Sequence, residues 1–134
     1  MSAEAPVVTV IITCYNLGRY LVQAVSSVKR QSAKRWRLIV VDDGSTEEET
    51  LEALKVLEGE GTEILRLDNG GVARARNQGI ERSNTPYICC LDADDLLSES
   101  YLEKTTALME RDSAGKIALV TTWMESFGEE NRLY

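Results

Sequence analysis

The sequence predicts an α/β domain built on a mostly parallel, open sheet with flanking helices. Three observations predict it. Short β-branched runs alternate with segments of helical periodicity along the chain. Strand and helix follow one another at the spacing of right-handed βαβ units. Polar and acidic clusters come just after strand ends, where open α/β sheets place their ligands.

The elements follow in order. Val7 to Cys14 is an apolar, β-branched run and reads as a first strand. Tyr20 to Arg30 reads as a helix, with Tyr20, Leu21, Ala24, Val25 and Val28 on one face. Trp36 to Val41 is a second strand, and Asp42-Asp43-Gly44-Ser45-Thr46 after it is a turn cluster. Ser45 and Glu48 have the spacing of a capping box, which opens a helix through about Leu57 with Leu51, Leu54 and Leu57 as its stripe. Thr62 to Leu67 is a third strand and Gly71 to Arg82 a third helix. Tyr87 to Leu91 is a short fourth strand, opened by Thr85-Pro86. Ser98 is placed to cap a helix to about Arg111, and Ile117 to Met124 reads as a fifth strand before a polar tail.

Composition narrows the function. The chain has 134 residues, of which 28% are charged, a globular balance and enough for one core. The net charge of −7 opposes binding to nucleic acid or anionic lipid, so a bound nucleotide needs local arginines or a metal ion. The absence of histidine excludes a Ser-His-Asp triad and an HExxH zinc site. Cys14, Cys89 and Cys90 form no CxxC pair and read as buried free thiols, which fits a reducing compartment. There is no signal-peptide pattern and no apolar run of the ~18 residues that span a membrane. A cytoplasmic location is expected, at the inner membrane face if a longer protein carries an anchor.

Four clusters carry chemistry. Leu91-Asp92-Ala93-Asp94-Asp95 sets three carboxylates directly after a strand. Asp92 and Asp94 project the same way along extended chain, and hard oxygen donors of this kind hold Mg²⁺ or Mn²⁺ together with substrate phosphates. The competing reading is a solvated acidic loop. Asp42 and Asp43 follow the second strand, where an acid can accept hydrogen bonds from a ribose or a base. A turn and helix cap explain Gly44 and Ser45 but not two adjacent carboxylates. Tyr15 can stack on a base and Thr13 can bond its edge, although a tyrosine at a strand end more often packs. Asn69 to Gly79 (NGGVARARNQG) offers glycines for close backbone approach, without a GxGxxG or Walker pattern.

Together these motifs resemble family 2 glycosyltransferases of the GT-A fold. That family carries a TYN-like motif at a strand end, then DDGS, NxGxAxARNxG and DADD. This chain has ITCYN at 12–16, DDGST at 42–46, NGGVARARNQGI at 69–80 and LDADD at 91–95, in the same order. The resemblance implies a Rossmann-like nucleotide-binding half of a GT-A domain spanning residues 1–134, ending before the acceptor-binding part. It implies that Thr13, Tyr15 and Asp43 hold the uracil, with Asp42 beside them. It further implies that Arg76 lies on the nucleotide side, that Asp92 contacts ribose or metal, and that Asp94 is the main ligand of Mn²⁺ or Mg²⁺, with Asp95 next to it. The partners implied are a UDP-sugar donor and a sugar, polysaccharide or lipid-linked acceptor in the full-length protein.

The activity expected from the resemblance is metal-dependent, inverting sugar transfer. The alternative is a binding fragment or module that holds the nucleotide-sugar without turnover. No segment resembles the family's acceptor-side base, and Glu125, Glu129 and Glu130 read as a solvated tail. A receiver domain or haloacid-dehalogenase-like phosphatase is disfavoured by the order of the acidic clusters, since the first strand ends in Thr13-Cys14-Tyr15. The Ile117 to Met124 segment with Trp123 marks a place for self-association.

Overall fold

Val8–Cys14 forms β1, and all seven of its residues are buried in the computed structural model, which describes residues 5–128. A strand buried on both faces is continuously apolar rather than alternating, and β1 is such a strand. It lies between β2 (Trp36–Asp42) and β4 (Tyr87–Asp92), with β3 (Glu63–Arg66) outside β2. All three pairings are parallel, and the order is β3-β2-β1-β4. The strand order therefore reverses at β1, whose carboxyl end has β2 on one side and β4 on the other. Ligands of open α/β sheets bind beyond the carboxyl ends of the strands at such a reversal of strand order.

Helices cover both faces of the sheet. α1 (Gly18–Lys29), α2 (Glu48–Gly59) and α4 (Tyr101–Arg111) cover one face, and α3 (Val72–Arg82) covers the other. Leu21, Ala24, Val25 and Val28 of α1 pack with Leu54 and Leu57 of α2 and Leu102 of α4 against the Val8, Val10 and Ile12 side of the sheet. Full burial of each Val or Leu stabilises by about 1.5–3 kcal/mol, so this face holds most of the fold's apolar stabilisation. The α3 face is thinner, with Ile11, Ile39, Val41 and Ala75 at its centre. Gly79 lets α3 sit close to the sheet: a Cβ there would lie 2.6 Å from Ile11 Cγ2.

Several sequence expectations are corrected. α1 starts at Gly18, and Tyr20 lies half outside the core with the Arg19 guanidinium 4.8 Å from its ring centre. Leu51 is likewise outside the α2 stripe, since Leu54 and Leu57 already fill the groove against α1. Ser45 does not cap α2, and Ser98 does not cap α4. Glu47 and Ser100 occupy those cap positions without side-chain bonds, and the Ser45 hydroxyl instead accepts from the Asn16 amide.

The fifth strand does not form among the described residues. Residues 117–121 run beside β4 and α4 without joining the sheet, and Glu125 alone makes an isolated bridge. Strand propensity reflects the fit of side chains to a pleated, half-covered surface. Here Leu119 is 81% and Trp123 77% exposed, so no neighbour offers such a surface. Cys90 is also exposed rather than buried, because α3 does not extend over that part of β4.

Candidate functional site

The register brings the sequence clusters together. Thr13 pairs with Asp92 across β1 and β4, and Cys14 pairs with Asp42 across β1 and β2. The ladders continue one residue past the strands, with the Asp43 amide donating to the Cys14 carbonyl at 2.9 Å and the Ala93 amide to the Thr13 carbonyl at 3.2 Å. Above these ends opens a cleft of about 440 Å³. Thr13, Tyr15, Asp43, Arg76, Asp92 and Asp94 all line it, together with Cys14, Leu17, Asn69, Gly71 and Val72. A volume of this size lies within the range of small-molecule sites.

Asp42 stands apart from the other site residues. It is buried outside the cleft lining, and its Oδ1 accepts a bond from the Ser45 amide at 3.2 Å. That makes Asp42 the holder of the DDGST turn rather than a group facing a ligand. Asp43 does face the cleft, but both its oxygens are engaged: the Gly70 amide donates to Oδ1 and the Gly71 amide to Oδ2, each at 3.0 Å. Gly44, at φ +79, turns the chain so that Asn69 passes within 2.6 Å of where a Cβ would sit. Asn69 Nδ2 closes this junction by donating to the Asp43 carbonyl at 3.1 Å.

At the opposite wall, Arg76 Nη2 donates to Asp92 Oδ1 at 3.0 Å in a partly exposed ion pair. One oxygen each from Asp92, Asp94 and Asp95 converge within 4.8 Å of one another. Among the described residues no basic side chain pairs with Asp94 or Asp95. Partial burial, followed by the Asp94 and Asp92 charges, pushes the Asp95 carboxyl above its ordinary value. The same clustering and burial act on the thiols: burial, then Cys90, pushes Cys89 up to about 12. Cys14 and Cys90 are also raised, chiefly by burial, with Arg76 acting in the other direction on Cys90.

The model of glycosyl transferase family 2 matches residues 9–133. The chain belongs to glycosyltransferase family 2. It is 36% identical to the putative teichuronic acid biosynthesis glycosyltransferase TuaG of Bacillus subtilis, over 85% of this chain and 46% of that protein. It is 33% identical to the glycosyltransferase GlyG of Streptococcus pneumoniae, over 72% of this chain and 33% of that protein. The chain thus spans less than half the length of these curated relatives. In fold it resembles S. aureus TarS 1-349 in complex with UDP-GlcNAc, with a TM-score of 0.68 at 24% identity over 77% of this chain and 31% of that one. It also resembles the mannosyltransferase PcManGT from Pyrobaculum calidifontis in complex with GDP-Man and Mn²⁺, with a TM-score of 0.58 at 23% identity over 69% of this chain and 29% of that one. The open parallel sheet is therefore that of GT-A glycosyltransferases. Among the described residues no helix is long and apolar enough to cross a membrane.

In this family 2 domain, two residues do more than their sequence context announces. Asn16, next to Tyr15, accepts bonds at Oδ1 from the Thr46 amide at 2.9 Å and the Glu47 amide at 3.0 Å. It thereby ties down, from a different loop, the two residues that lead into α2. Gln31 is fully buried at the end of α1. Its Nε2 donates to the Ser98 carbonyl at 2.7 Å and the Ser27 carbonyl at 3.1 Å, and its Oε1 accepts from the Leu102 amide at 3.0 Å. Gln31 thus anchors the loop that follows Asp95 and satisfies the start of α4. The sequence signal for both was slight: an Asn at a strand end, and a polar residue continuing an apolar helical stripe.

Proposed function

We propose that the chain is the single donor-binding domain of a metal-dependent, inverting glycosyltransferase, and that its donor is a UDP-sugar. The observation that carries this reading is the meeting of two kinds of group in one cleft. Thr13, Tyr15 and Asp43, from the ends of β1 and β2, line it together with Asp92 and Asp94 from the end of β4. The first group suits a pyrimidine, with an aromatic face for stacking and polar edges for its amide-like atoms. The second suits a diphosphate once a cation is bound, because Asp94 has no basic partner among the described residues to offset its charge before another anion arrives. GT-A relatives of this chain in fold bind either UDP-GlcNAc or GDP-Man, so the base preference rests on these side chains.

The acidic group fits a hard divalent cation, with three carboxylates converging and two of them free of basic partners. Asp94 and Asp92 would hold Mn²⁺ or Mg²⁺, which supplies charge neutralisation of a diphosphate leaving group. The chain's own residues do the rest. Tyr15 and Thr13 orient the nucleoside. Arg76, already paired with Asp92, places a positive charge where a diphosphate enters. An acceptor hydroxyl then attacks the anomeric carbon from the face opposite the diphosphate.

The acceptor is a sugar, polysaccharide or lipid-linked chain, and its activating base lies outside the described cleft. Asp43 is committed to Gly70 and Gly71, and the remaining cleft acids belong to the Asp92–Asp94 group. That observation favours, for the isolated chain, donor binding with at most slow hydrolysis. Calorimetry tests the reading. UDP should bind more tightly than GDP, and more tightly in Mn²⁺ than in EDTA, with Asp94→Asn more damaging than Asp95→Asn. Equal affinity for UDP and GDP would sink the base assignment, and equal affinity with and without Mn²⁺ would sink the metal.

A further inference from the structure

We infer that Asn16 is a positioning residue for the nucleoside, acting by holding the backbone that presents Tyr15 to the cleft. The inference rests on the donor reading above. Asn16 is the sole non-glycine with a positive φ among the described residues, at φ 53. Asn tolerates this left-handed conformation better than most residues, because its short amide can bond locally. Here it bonds across to the DDGST loop instead. Its backbone amide donates to Ser45 Oγ at 3.0 Å, its Oδ1 accepts from the Thr46 and Glu47 amides, and its Nδ2 reaches Thr46 Oγ1 at 3.4 Å.

These bonds hold Tyr15 from one side, and the strand holds it from the other. Just before Tyr15, the Cys14 carbonyl accepts from the Asp43 amide. Just after Asn16 and Leu17, the Gly18 amide donates to Thr50 Oγ1 at 3.0 Å, in the first turn of α2. The Tyr15 ring itself is 48% exposed. Its hydroxyl has no hydrogen-bond partner among the described residues. With no hydrogen bond at the hydroxyl, the backbone sets where the ring starts from. That backbone is turned at Asn16 and clasped to α2. The same bonds hold the Thr46 and Glu47 amides that lead into α2. One residue therefore couples the packing of α2 to the placement of the base platform.

The test uses uridine as a probe of the base side and pyrophosphate with Mn²⁺ as a probe of the acid side. Stacking of a base on an aromatic ring reads as roughly fivefold to a hundredfold in affinity, and Tyr15→Ala should lose that. Asn16→Ala should lose most of the same factor for uridine while keeping pyrophosphate affinity within about twofold, a split that general loosening would not produce. Asn16→Asp retains the acceptor oxygen and the backbone preference and should bind uridine like the wild type. Asn16→Gly retains the backbone freedom without the clasp and should fail like alanine. In a Tyr15→Ala background, Asn16→Ala should cost nothing further. Should Asn16→Ala not fold, Ser45→Ala, which removes the bond to the Asn16 amide and the hydroxyl's contact with the Cys14 thiol, carries the test with the same signs. Additive losses in the double variant, or full uridine affinity in Asn16→Gly, overturn the inference alone. A wild-type chain that binds neither uridine nor UDP overturns the donor reading and this inference with it.

Discussion

Replacing Asp43 with alanine should damage the fold and the site by separate amounts. The two oxygens of Asp43 each hold a glycine amide at 3.0 Å, and those amides shape the turn into α3. A hydrogen bond to a charged group is worth about 1.5–3 kcal/mol. The turn borders solvent, so water recovers part of the loss in the variant. A net destabilisation of about 2–4 kcal/mol is expected from the two bonds together. With a urea slope of about 2 kcal/mol per molar, the unfolding midpoint should fall by roughly 1–2 M. Asp43→Asn is no rescue, because its amide nitrogen would face one of the glycine amides donor to donor. The assay is urea unfolding without nucleotide or metal, followed by tryptophan fluorescence. UDP affinity measured well below the midpoint then isolates the site, where a further loss of about 1.5–3 kcal/mol corresponds to a direct bond to the base. An unchanged midpoint would refute the claim that Asp43 holds the turn. A lowered midpoint with unchanged UDP affinity would make Asp43 purely structural.

Three further outcomes follow from other contacts. Gln31→Leu strips partners from the Ser98 carbonyl and the Leu102 amide. It should cost about 2–4 kcal/mol in the same unfolding assay, with a wild-type midpoint counting against the anchor. The raised thiols should all be protonated at neutral pH, so iodoacetamide labelling mapped by mass spectrometry should be slow and led by the exposed Cys90. Because the folded state holds the Cys89 proton up to about 12, the unfolded chain releases it first as pH rises; stability should therefore fall above the ordinary thiol range, and Cys89→Ala should flatten that slope. Leu119, Trp123, Met124 and Phe127 are exposed together beyond α4, so light scattering should show dimers or larger species at high concentration, reduced by Trp123→Ser.

The cysteines and caps show where sequence reading stops. Cys89 and Cys90 share one apolar run, yet one is half-buried and the other exposed, because only one face of β4 meets helices. Ser45 has the spacing of a cap, yet its hydroxyl accepts from the Asn16 amide while the Asn16 side chain holds the residues that lead into α2. Ile117 to Met124 has strand-like residues, yet among the described residues it does not join the sheet, although Ala118 to Thr121 lie beside β4. Glu129 and Glu130 of the polar tail lie outside those residues.

By itself the sequence determined the α/β class, four strands and four helices to within a few residues, and the clusters that line the cleft. These are properties of short-range periodicity and of turn chemistry, which each segment carries regardless of its neighbours. Tertiary structure alone decided which acids face the cleft. Asp42 and Asp43 are adjacent in the chain, but the first turns to Ser45 and the second to Gly70 and Gly71, 27 and 28 residues away. A hydrogen-bond partner that distant is set by how the sheet orders its strands, and no local pattern encodes it.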